Sequence, residues 1–263
     1  KLAGAWGHLI ANIGLSNTFM AYGIAFAAMV IIGGLWMKFP PAGWKPEGYE
    51  EKQAATGVSK DQREFSSTEM LSKVQFYLIF LTFVFSAGAG LMSIGLMKLY
   101  PMEALQANGF TEIQASAIAG TAMAVFFSLA NGLGRILWGI LSDKLGRKTS
   151  IIIMTATQGI IVILFTFMAG NEYLLYLGAT LIGFNFGGNF ALFPTITADT
   201  FGAKNVGQNY PWVFLAYGVG GIIGPILGGK LGDIGNFPLA FTIAGLAVLL
   251  GTVLTIIIKP AKK

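Results

Sequence analysis

A lone arginine, Arg135, lies within an apolar run that ends in a charged turn, NGLGRILWGILSDKLGRK (131–148). Asp143 follows eight residues later, which is roughly 12 Å along a helix. Because half the hydrocarbon thickness of a bilayer is roughly 15 Å, Arg135 is predicted near mid-depth. Its planar guanidinium suits two parallel hydrogen bonds to a carboxylate. Asn131 lies one helical turn earlier and can bind the same ligand.

Arg135 requires a counter-ion, because a charge at mid-membrane costs at least about 3 kcal/mol without compensation. The predicted spans between residues 75 and 258 contain no Asp or Glu. The counter-ion is therefore either an acid in a part of the protein that this sequence lacks, or an anion that binds and leaves. We favour the anion, so Arg135 and Asn131 are predicted to form a binding site.

Other polar and aromatic residues at similar depth indicate a cavity beside Arg135. Polar side chains within spanning helices usually face the bundle interior. Each of them could instead join two helices, and each aromatic ring could simply pack in the core. The candidates are the polar residues Ser86, Asn185, Asn189 and Tyr217, with Phe85 and Phe186 for the apolar part of the pocket.

The composition is that of an all-α membrane protein. Of the 263 residues, 54% are hydrophobic and 11% are charged, against a typical charged fraction of about 25%. The mean hydropathy is +0.68. No cysteine, a lone His8, no Ser–His pair and no acid dyad argue against an enzyme, a metal site or a cofactor. The net charge of +5 falls in short clusters between apolar runs, which argues against nucleic acid as a partner.

Seven apolar runs are long enough to cross a bilayer, which takes about 20 residues. The first segment, 1–12, is too short and is interpreted as the end of a helix whose start is missing. The sequence is therefore predicted to be the C-terminal part of a longer protein. The predicted spans are 18–37, 75–97, 115–141, 149–170, 173–197, 210–230 and 237–258.

The segment 38–74 differs from the short connections elsewhere, because it is long, polar and rich in proline. Ser66 and Glu69 form an S-x-x-E pattern that predicts a capped surface helix before the next span. If this segment is cytoplasmic, thirteen Lys and Arg residues lie on that side and only Lys98 and Lys230 on the other. The positive-inside rule then predicts a cytoplasmic C-terminus.

The turn GILSDKLGRKTS (139–150) resembles the loop signature of the major facilitator superfamily, which recurs between the second and third helices of each half. The resemblance implies helices 7–12 in 75–263, a central cytoplasmic linker in 38–74, and the end of helix 5 with helix 6 in 1–37. It also implies that Asp143, Arg147 and Lys148 form a charge relay that controls gating. The alternative is a basic anchor at the membrane surface.

A glycine-rich stretch, AYGVGGIIGPILGGKLGD (216–233), predicts close helix packing in the eleventh helix. Small residues at three- and four-residue spacings, including Gly220, Gly224 and Gly228, let two backbones approach closely. The same pattern resembles an antiporter motif of the superfamily, which implies a role in exchange as the alternative.

Four further stretches, FPPAGWKP, STEML, NGLGRILWG and FPTITADTFGAKNVGQNY, resemble the oxalate/formate antiporter family, which includes bacterial lactate transporters. The resemblance implies that Arg135 binds the substrate carboxylate, with Asn131 in place of an acid found in related transporters. Tyr217 occupies the place of a lysine that oxalate exchangers use. One positive charge matches one negative charge, so the expected substrate is a small monocarboxylate such as lactate.

The resemblance further implies proton coupling, alternating access with a missing N-terminal half, and the bacterial inner (plasma) membrane as the location. No acid in the predicted spans could carry the proton, so it would travel on the substrate or through the missing half. The alternative function is an oxalate/formate-type organic anion exchanger.

Overall fold

The computed structural model of the chain describes residues 2–38, 41, 44 and 64–259, with side chains from residue 12 onward. The chain divides into two compact units, Lys1–Gly57 and Val58–Lys263. Most of the predicted linker, with Pro40 and Pro46, lies outside the described residues, as does the side chain of His8.

The first unit contains helix α1, Leu2–Trp36. Gly14 interrupts it with φ 78° and ψ 163°, a conformation that glycine adopts without the strain a side chain would bring. The Thr18 hydroxyl donates to the Gly14 carbonyl at 2.8 Å, four residues earlier, as Ser and Thr often do within helices. The break lies between the predicted segments 1–12 and 18–37, and Asn12–Trp36 is long and apolar enough to span a membrane.

The second unit is a bundle of helices, and the described residues contain no strand, which confirms the all-α prediction. A π-helical segment joins α5 to α6, so that Glu112–Leu145 forms one continuous span. The helices are α2 (Ser67–Leu71), α3 (Val74–Leu96), α4 (Leu99–Ala107), α5 (Glu112–Thr121), the π-helical segment (Ala122–Phe127), α6 (Ser128–Leu145), α7 (Arg147–Met168), α8 (Glu172–Phe201), α9 (Val206–Asp233) and α10 (Phe237–Ile257).

Six helical stretches among the described residues are long and apolar enough to cross a membrane. They match six of the seven predicted spans, and α8 is the exception. Its 30 residues would extend about 45 Å, but it is less apolar than the others. The reason is that polar side chains such as Asn185 and Asn189 are buried against neighbouring helices.

Glycines bring α3 and α9 into backbone contact. Helix α3 packs along α9, where a methyl group on Gly224 would overlap the carbonyl oxygen of Gly88. A methyl group on Gly220 would lie 2.7 Å from the Val84 carbonyl oxygen. The predicted packing role of the glycine stripe is thereby confirmed for these two residues. In the same bundle α10 packs along α7, and α6 along α8.

Helix α4 lies between the predicted spans 75–97 and 115–141, where the sequence analysis predicted no helix. Its Tyr100 hydroxyl donates to the Thr166 carbonyl of α7 at 2.7 Å, and Leu105 is fully buried. A capping box formed by Thr111 and Gln114 then begins α5. This short helix therefore covers one end of the bundle.

The residues before α3 are attached to the turn between α8 and α9. The predicted capping box of Ser66 and Glu69 is confirmed at the start of α2. Phe65 is 1% exposed, and its carbonyl accepts hydrogen bonds from the amides of Asn205 and Asn209 at 3.1 and 3.0 Å. The segment that leads into α3 is thus held by the buried Phe65 ring and by hydrogen bonds from two asparagine side chains.

Candidate functional site

Arg135 projects from α6 as an exposed side chain of the second unit. Its Nε donates to Oδ1 of Asn131 at 3.3 Å, and its Cζ lies 4.4 Å from the ring centroid of Phe190 on α8. Among the described residues no carboxylate forms an ion pair with it. The sequence thus anticipated correctly that these spans supply no acid. It did not predict that the charge would be accessible on this unit.

The backbone of α6 is held against α8 at the level of Arg135. A methyl group on Gly187 would overlap the Asn131 carbonyl oxygen, and one on Gly134 would overlap the Phe184 carbonyl oxygen. One turn away, a methyl group on Gly183 would lie 2.5 Å from the Phe127 carbonyl oxygen. These contacts fix the distance between α6 and α8, and hence the distance between Arg135 and the aromatic side chains of α8.

Aromatic rings continue from Phe190 across to α9. The Phe190 ring lies 5.5 Å from Tyr217, which stacks on Phe214 at 5.4 Å with 8° between the ring planes. Phe190 and Tyr217 are half-buried, and Phe214 is 39% exposed. We call Arg135, Asn131, Phe190, Tyr217 and Phe214 the arginine–aromatic surface. It places one cation beside an apolar wall, an arrangement suited to a small organic anion.

Phe186 supports this surface from behind rather than forming part of it. Its ring is 3% exposed and lies 5.7 Å from Phe190 in an edge-to-face contact. The ring fills space that a side chain on Gly90 of α3 would otherwise occupy. Phe186 therefore sets the position of Phe190.

Three predicted polar contacts, Ser86, Asn185 and Asn189, are buried between helices instead of lying on the arginine–aromatic surface. The Ser86 hydroxyl is 2.9 Å from Oε1 of Gln158 and 2.8 Å from Oδ1 of Asn189. The Asn185 amide donates to the Thr157 hydroxyl at 3.1 Å. Ser86 and Asn189 are 0% exposed and Asn185 is 3% exposed. Their hydrogen bonds join α3, α7 and α8.

Phe85 also points elsewhere. Its ring would lie 3.6 Å from a methyl group on Gly251, so it faces α10. The aromatic residue of α3 that approaches Tyr217 is Phe83, at 6.3 Å. Phe83 is buried and stacks on Phe193 at 4.1 Å. Phe83 and Phe85 thus lie on different faces of α3.

A second charged cluster lies where α6 meets α7. Arg147 pairs with Asp143 at 2.6 Å and with Asp199 of α8 at 3.6 Å, and it also donates to the Ser142 hydroxyl. The sequence identified Asp143 and Arg147 and missed Asp199, which lies two residues beyond the predicted span 173–197. Burial and the neighbouring Asp143 raise the pKa of Asp199, while Arg147 acts in the opposite direction.

Lys148 does not join this cluster, although the sequence assigned it to the same charge relay. Its ammonium group donates to the carbonyls of Ile256 and Ile258 at 2.8 and 2.7 Å. These are the final carbonyls of α10, which lack partners within the helix and carry the negative end of its dipole. Lys148 therefore caps α10.

Among the described residues no group of three or more His, Cys, Asp or Glu could hold a metal. A helical bundle with six candidate membrane-spanning stretches among the described residues is a polytopic membrane protein. Residues 99–263 match the family model of the Major Facilitator Superfamily. The chain belongs to that superfamily, as the loop signature in 139–150 predicted, and its relatives are transporters rather than enzymes.

The chain is similar to several transporters over different lengths. It is 28% identical over 216 residues to an uncharacterized MFS-type transporter of Escherichia coli K12, YhjX, covering 81% of the chain and 49% of that relative. It is 26% identical over 248 residues to the oxalate:formate antiporter of Oxalobacter formigenes, covering 94% and 55%. It is 32% identical over 105 residues to apicoplast pyruvate carrier 1 of Toxoplasma gondii, covering 40% and 18%. The chain thus spans about half the length of the first two relatives.

Proposed function

We propose that this chain is part of a secondary active transporter for a small monocarboxylate such as lactate, and that Arg135 binds the carboxylate. The observation that carries the proposal is the accessible guanidinium. It is oriented by Asn131 and Phe190, and no carboxylate among the described residues neutralises it. A carboxylate ligand would supply the missing charge through paired hydrogen bonds. Relatives named for oxalate, formate and pyruvate support a small carboxylate as the substrate class.

The number of charges favours a monoanion. Tyr217 is the polar residue that α9 contributes to the arginine–aromatic surface, in place of the lysine that the family resemblance associates with a dianion. The proposed contacts are therefore Arg135 and Asn131 for the carboxylate, and Tyr217 with Phe190 for the remainder of the ligand. Phe186 acts indirectly by supporting Phe190.

The proposed mechanism is alternating access between two six-helix halves, with this chain contributing helices 7–12, helix 6 and the end of helix 5. The N-terminal half of the same transporter would form the opposite wall of the cavity. We place the protein in the bacterial inner (plasma) membrane with a cytoplasmic C-terminus. The pair Asp143–Arg147, together with Asp199, would then hold the cytoplasmic ends of α6, α7 and α8 in one gating state.

Proton coupling is part of the proposal and would use either the substrate or an acid of the N-terminal half. The competing function is exchange of organic anions of the oxalate/formate type. It is favoured by the antiporter relative, which aligns with 94% of this chain. A second buried cation in the N-terminal half would also favour exchange.

The deciding experiment uses the full-length transporter in liposomes. Initial uptake of labelled lactate is measured with and without an inward proton gradient, with unlabelled oxalate as competitor. We expect gradient-stimulated uptake that Arg135→Ala abolishes, with weak competition by oxalate. The matched control is Lys98→Ala, which removes an exposed cation that belongs neither to the arginine–aromatic surface nor to the Asp143–Arg147 pair. No gradient effect with strong oxalate competition would establish exchange, and uptake that survives Arg135→Ala would refute the binding site.

A further inference from the structure

We propose that Phe190 is the residue that positions Arg135, holding one face of the guanidinium so that its two terminal nitrogens point toward an incoming carboxylate. This inference rests on the proposed function of Arg135 as the anion site. The guanidinium carbon lies 4.4 Å from the centre of the Phe190 ring, within the range for a cation–π interaction. Sequence analysis did not single out Phe190.

Each part of the guanidinium then has a distinct environment. Its Nε–H is bonded to Asn131 at 3.3 Å, and its Cζ lies over the Phe190 ring at 4.4 Å from the ring centroid. Among the described residues, no protein group bonds to Nη1 or Nη2. The edge formed by these two nitrogens presents parallel N–H donors, which is the geometry for bidentate binding of one carboxylate. A carboxylate would therefore bind at this edge, because Nε–H is already engaged by Asn131.

An arginine in a spanning helix would otherwise be poorly placed for this task. Its long side chain tends to extend toward the membrane–water interface, which moves the charge away from mid-depth. The negative face of an aromatic ring attracts the cation before any anion arrives. It thereby offsets part of the unfavourable energy of an uncompensated charge, without supplying a negative charge that would compete with the substrate.

The Phe190 ring is itself held in place by two neighbouring rings and by the packing of its helix against α6. Phe186 meets it edge-to-face at 5.7 Å and Tyr217 approaches it at 5.5 Å. The helix that carries it cannot move closer to α6, because Gly187 and Gly134 already place the two backbones in contact. Phe190 therefore fixes Arg135 relative to α8 and α9, while the Asn131 amide fixes it relative to its own helix.

The first test weakens the electrostatic attraction between the Phe190 ring and Arg135 in steps, while the size of the ring stays nearly constant. In the full-length transporter, Phe190 is replaced by phenylalanines carrying one, two or three fluorines, which progressively weaken the negative face of the ring. We expect the half-saturating concentration of lactate to rise stepwise, by about two- to thirtyfold in total, with little change in maximal rate. Phe190→Trp should retain or improve the affinity. Phe190→Leu should lose it to at least the same extent as the trifluoro ring.

The matched control is the same fluorine series at Phe184. It is a half-buried phenylalanine of the same helix, and its ring packs on Trp138 at 5.7 Å instead of on a cation. Its series should leave the half-saturating concentration unchanged. If the Phe190 series is also flat while Arg135→Ala abolishes uptake, the inference is wrong and the proposed function stands. If Arg135→Ala leaves uptake intact, the proposed function fails first.

A second measurement tests the contact without any substrate. The Nε–H resonance of Arg135, assigned in ¹⁵N-arginine protein by its disappearance in Arg135→Lys, should show a ring-current shift. That shift should be lost in Phe190→Leu and retained in the trifluoro variant. A resonance that Phe190→Leu does not move would overturn the inference whatever the transported anion is.

Discussion

Arg135 and Arg147 occupy equivalent local settings with opposite outcomes. Each is bonded to the residue four positions earlier on the chain, Arg135 to an amide and Arg147 to a carboxylate. The side chain of Arg147 is 14% exposed and has Asp143 and Asp199 within 4 Å. Arg135 is exposed, and its other contact is an aromatic ring.

The difference separates a cation that the protein neutralises from one that it only orients. A carboxylate at 2.6 Å satisfies both the charge and the hydrogen bonds of Arg147, which leaves little for a ligand to gain. Asn131 offers one acceptor oxygen and no net charge, so Arg135 keeps its attraction for an anion. In this chain the residue one turn before each arginine thus determines whether its charge is neutralised by the protein.

The most direct way to erase this difference is Asn131→Asp, which gives Arg135 the same partner type as Arg147. We expect lactate affinity at neutral pH to fall by about ten- to a hundredfold, because the new carboxylate competes for the guanidinium. Acidification should restore part of the affinity as that carboxylate is protonated. The measurement is the half-saturating lactate concentration across a pH series. Unchanged affinity at neutral pH would show that charge compensation does not distinguish the two arginines.

The next largest effect is expected from Gly187→Ala, which separates α6 from α8 below Arg135. The added methyl group would overlap the Asn131 carbonyl oxygen, so the helices must move apart at a cost of about 1–3 kcal/mol. Thermal unfolding and lactate affinity should both decline.

The control for that change is Gly132→Ala, because no atom lies within 4 Å of the corresponding methyl group. Alanine there should be neutral or stabilising by about 0.5–1 kcal/mol, since glycine weakens a helix interior. Equal responses of the two variants would mean that the close contact does not position Arg135.

A smaller effect is expected from Asp143→Asn, which gives Arg147 an amide partner like that of Arg135. Asp143 is 57% exposed and Asp199 remains beside Arg147, so the stability loss should stay below about 1 kcal/mol. If the pair controls gating, maximal uptake should change severalfold while the half-saturating concentration stays constant. A rise in that concentration alone would instead place Asp143 in substrate binding.

The smallest effect is expected from Lys148→Gln. Removing the cation from the α10 carbonyls should destabilise the protein by about 0.3–1 kcal/mol, as for other charges at helix ends. Uptake should remain within about twofold, because Lys148 contacts neither Asp143 nor Asp199 through its ammonium group. A large loss of uptake at unchanged thermal stability would instead indicate that Lys148 acts in gating together with Asp143 and Arg147.

The sequence predicted the spans, the Ser66–Glu69 capping box and the glycine contacts well, because these follow from local composition and spacing. It singled out Arg135, Asn131 and Tyr217, because a polar group in an apolar run is conspicuous, and the structure places all three on the arginine–aromatic surface. It could not decide which face of a span each residue occupies. In helices that are apolar nearly all round, periodicity does not distinguish the cavity from the helix–helix contacts.

That limitation explains the particular errors. Asn189 and Phe190 are neighbours in sequence, yet one bonds to Ser86 in the core and the other meets Arg135. Phe83 and Phe85 are likewise only two residues apart on α3. Phe85 faces Gly251 of α10, whereas Phe83 approaches Tyr217 of α9. Asp199 was missed because its partner lies on another helix, more than fifty residues away in the chain. Phe190 could have been suggested by its spacing of four from Phe186.

The backbone contact between α6 and α8 also limits how the bundle can deform. Sliding one helix along the other by a single residue would drive a side chain into a carbonyl at Gly183 or Gly187, so shear at this seam is blocked. Helices α6 and α8 must therefore move as one rigid body, and Arg135 and Phe190 move with it. Any rearrangement of the bundle would then occur at helix contacts formed by side chains, such as the contact between Phe190 of α8 and Tyr217 of α9.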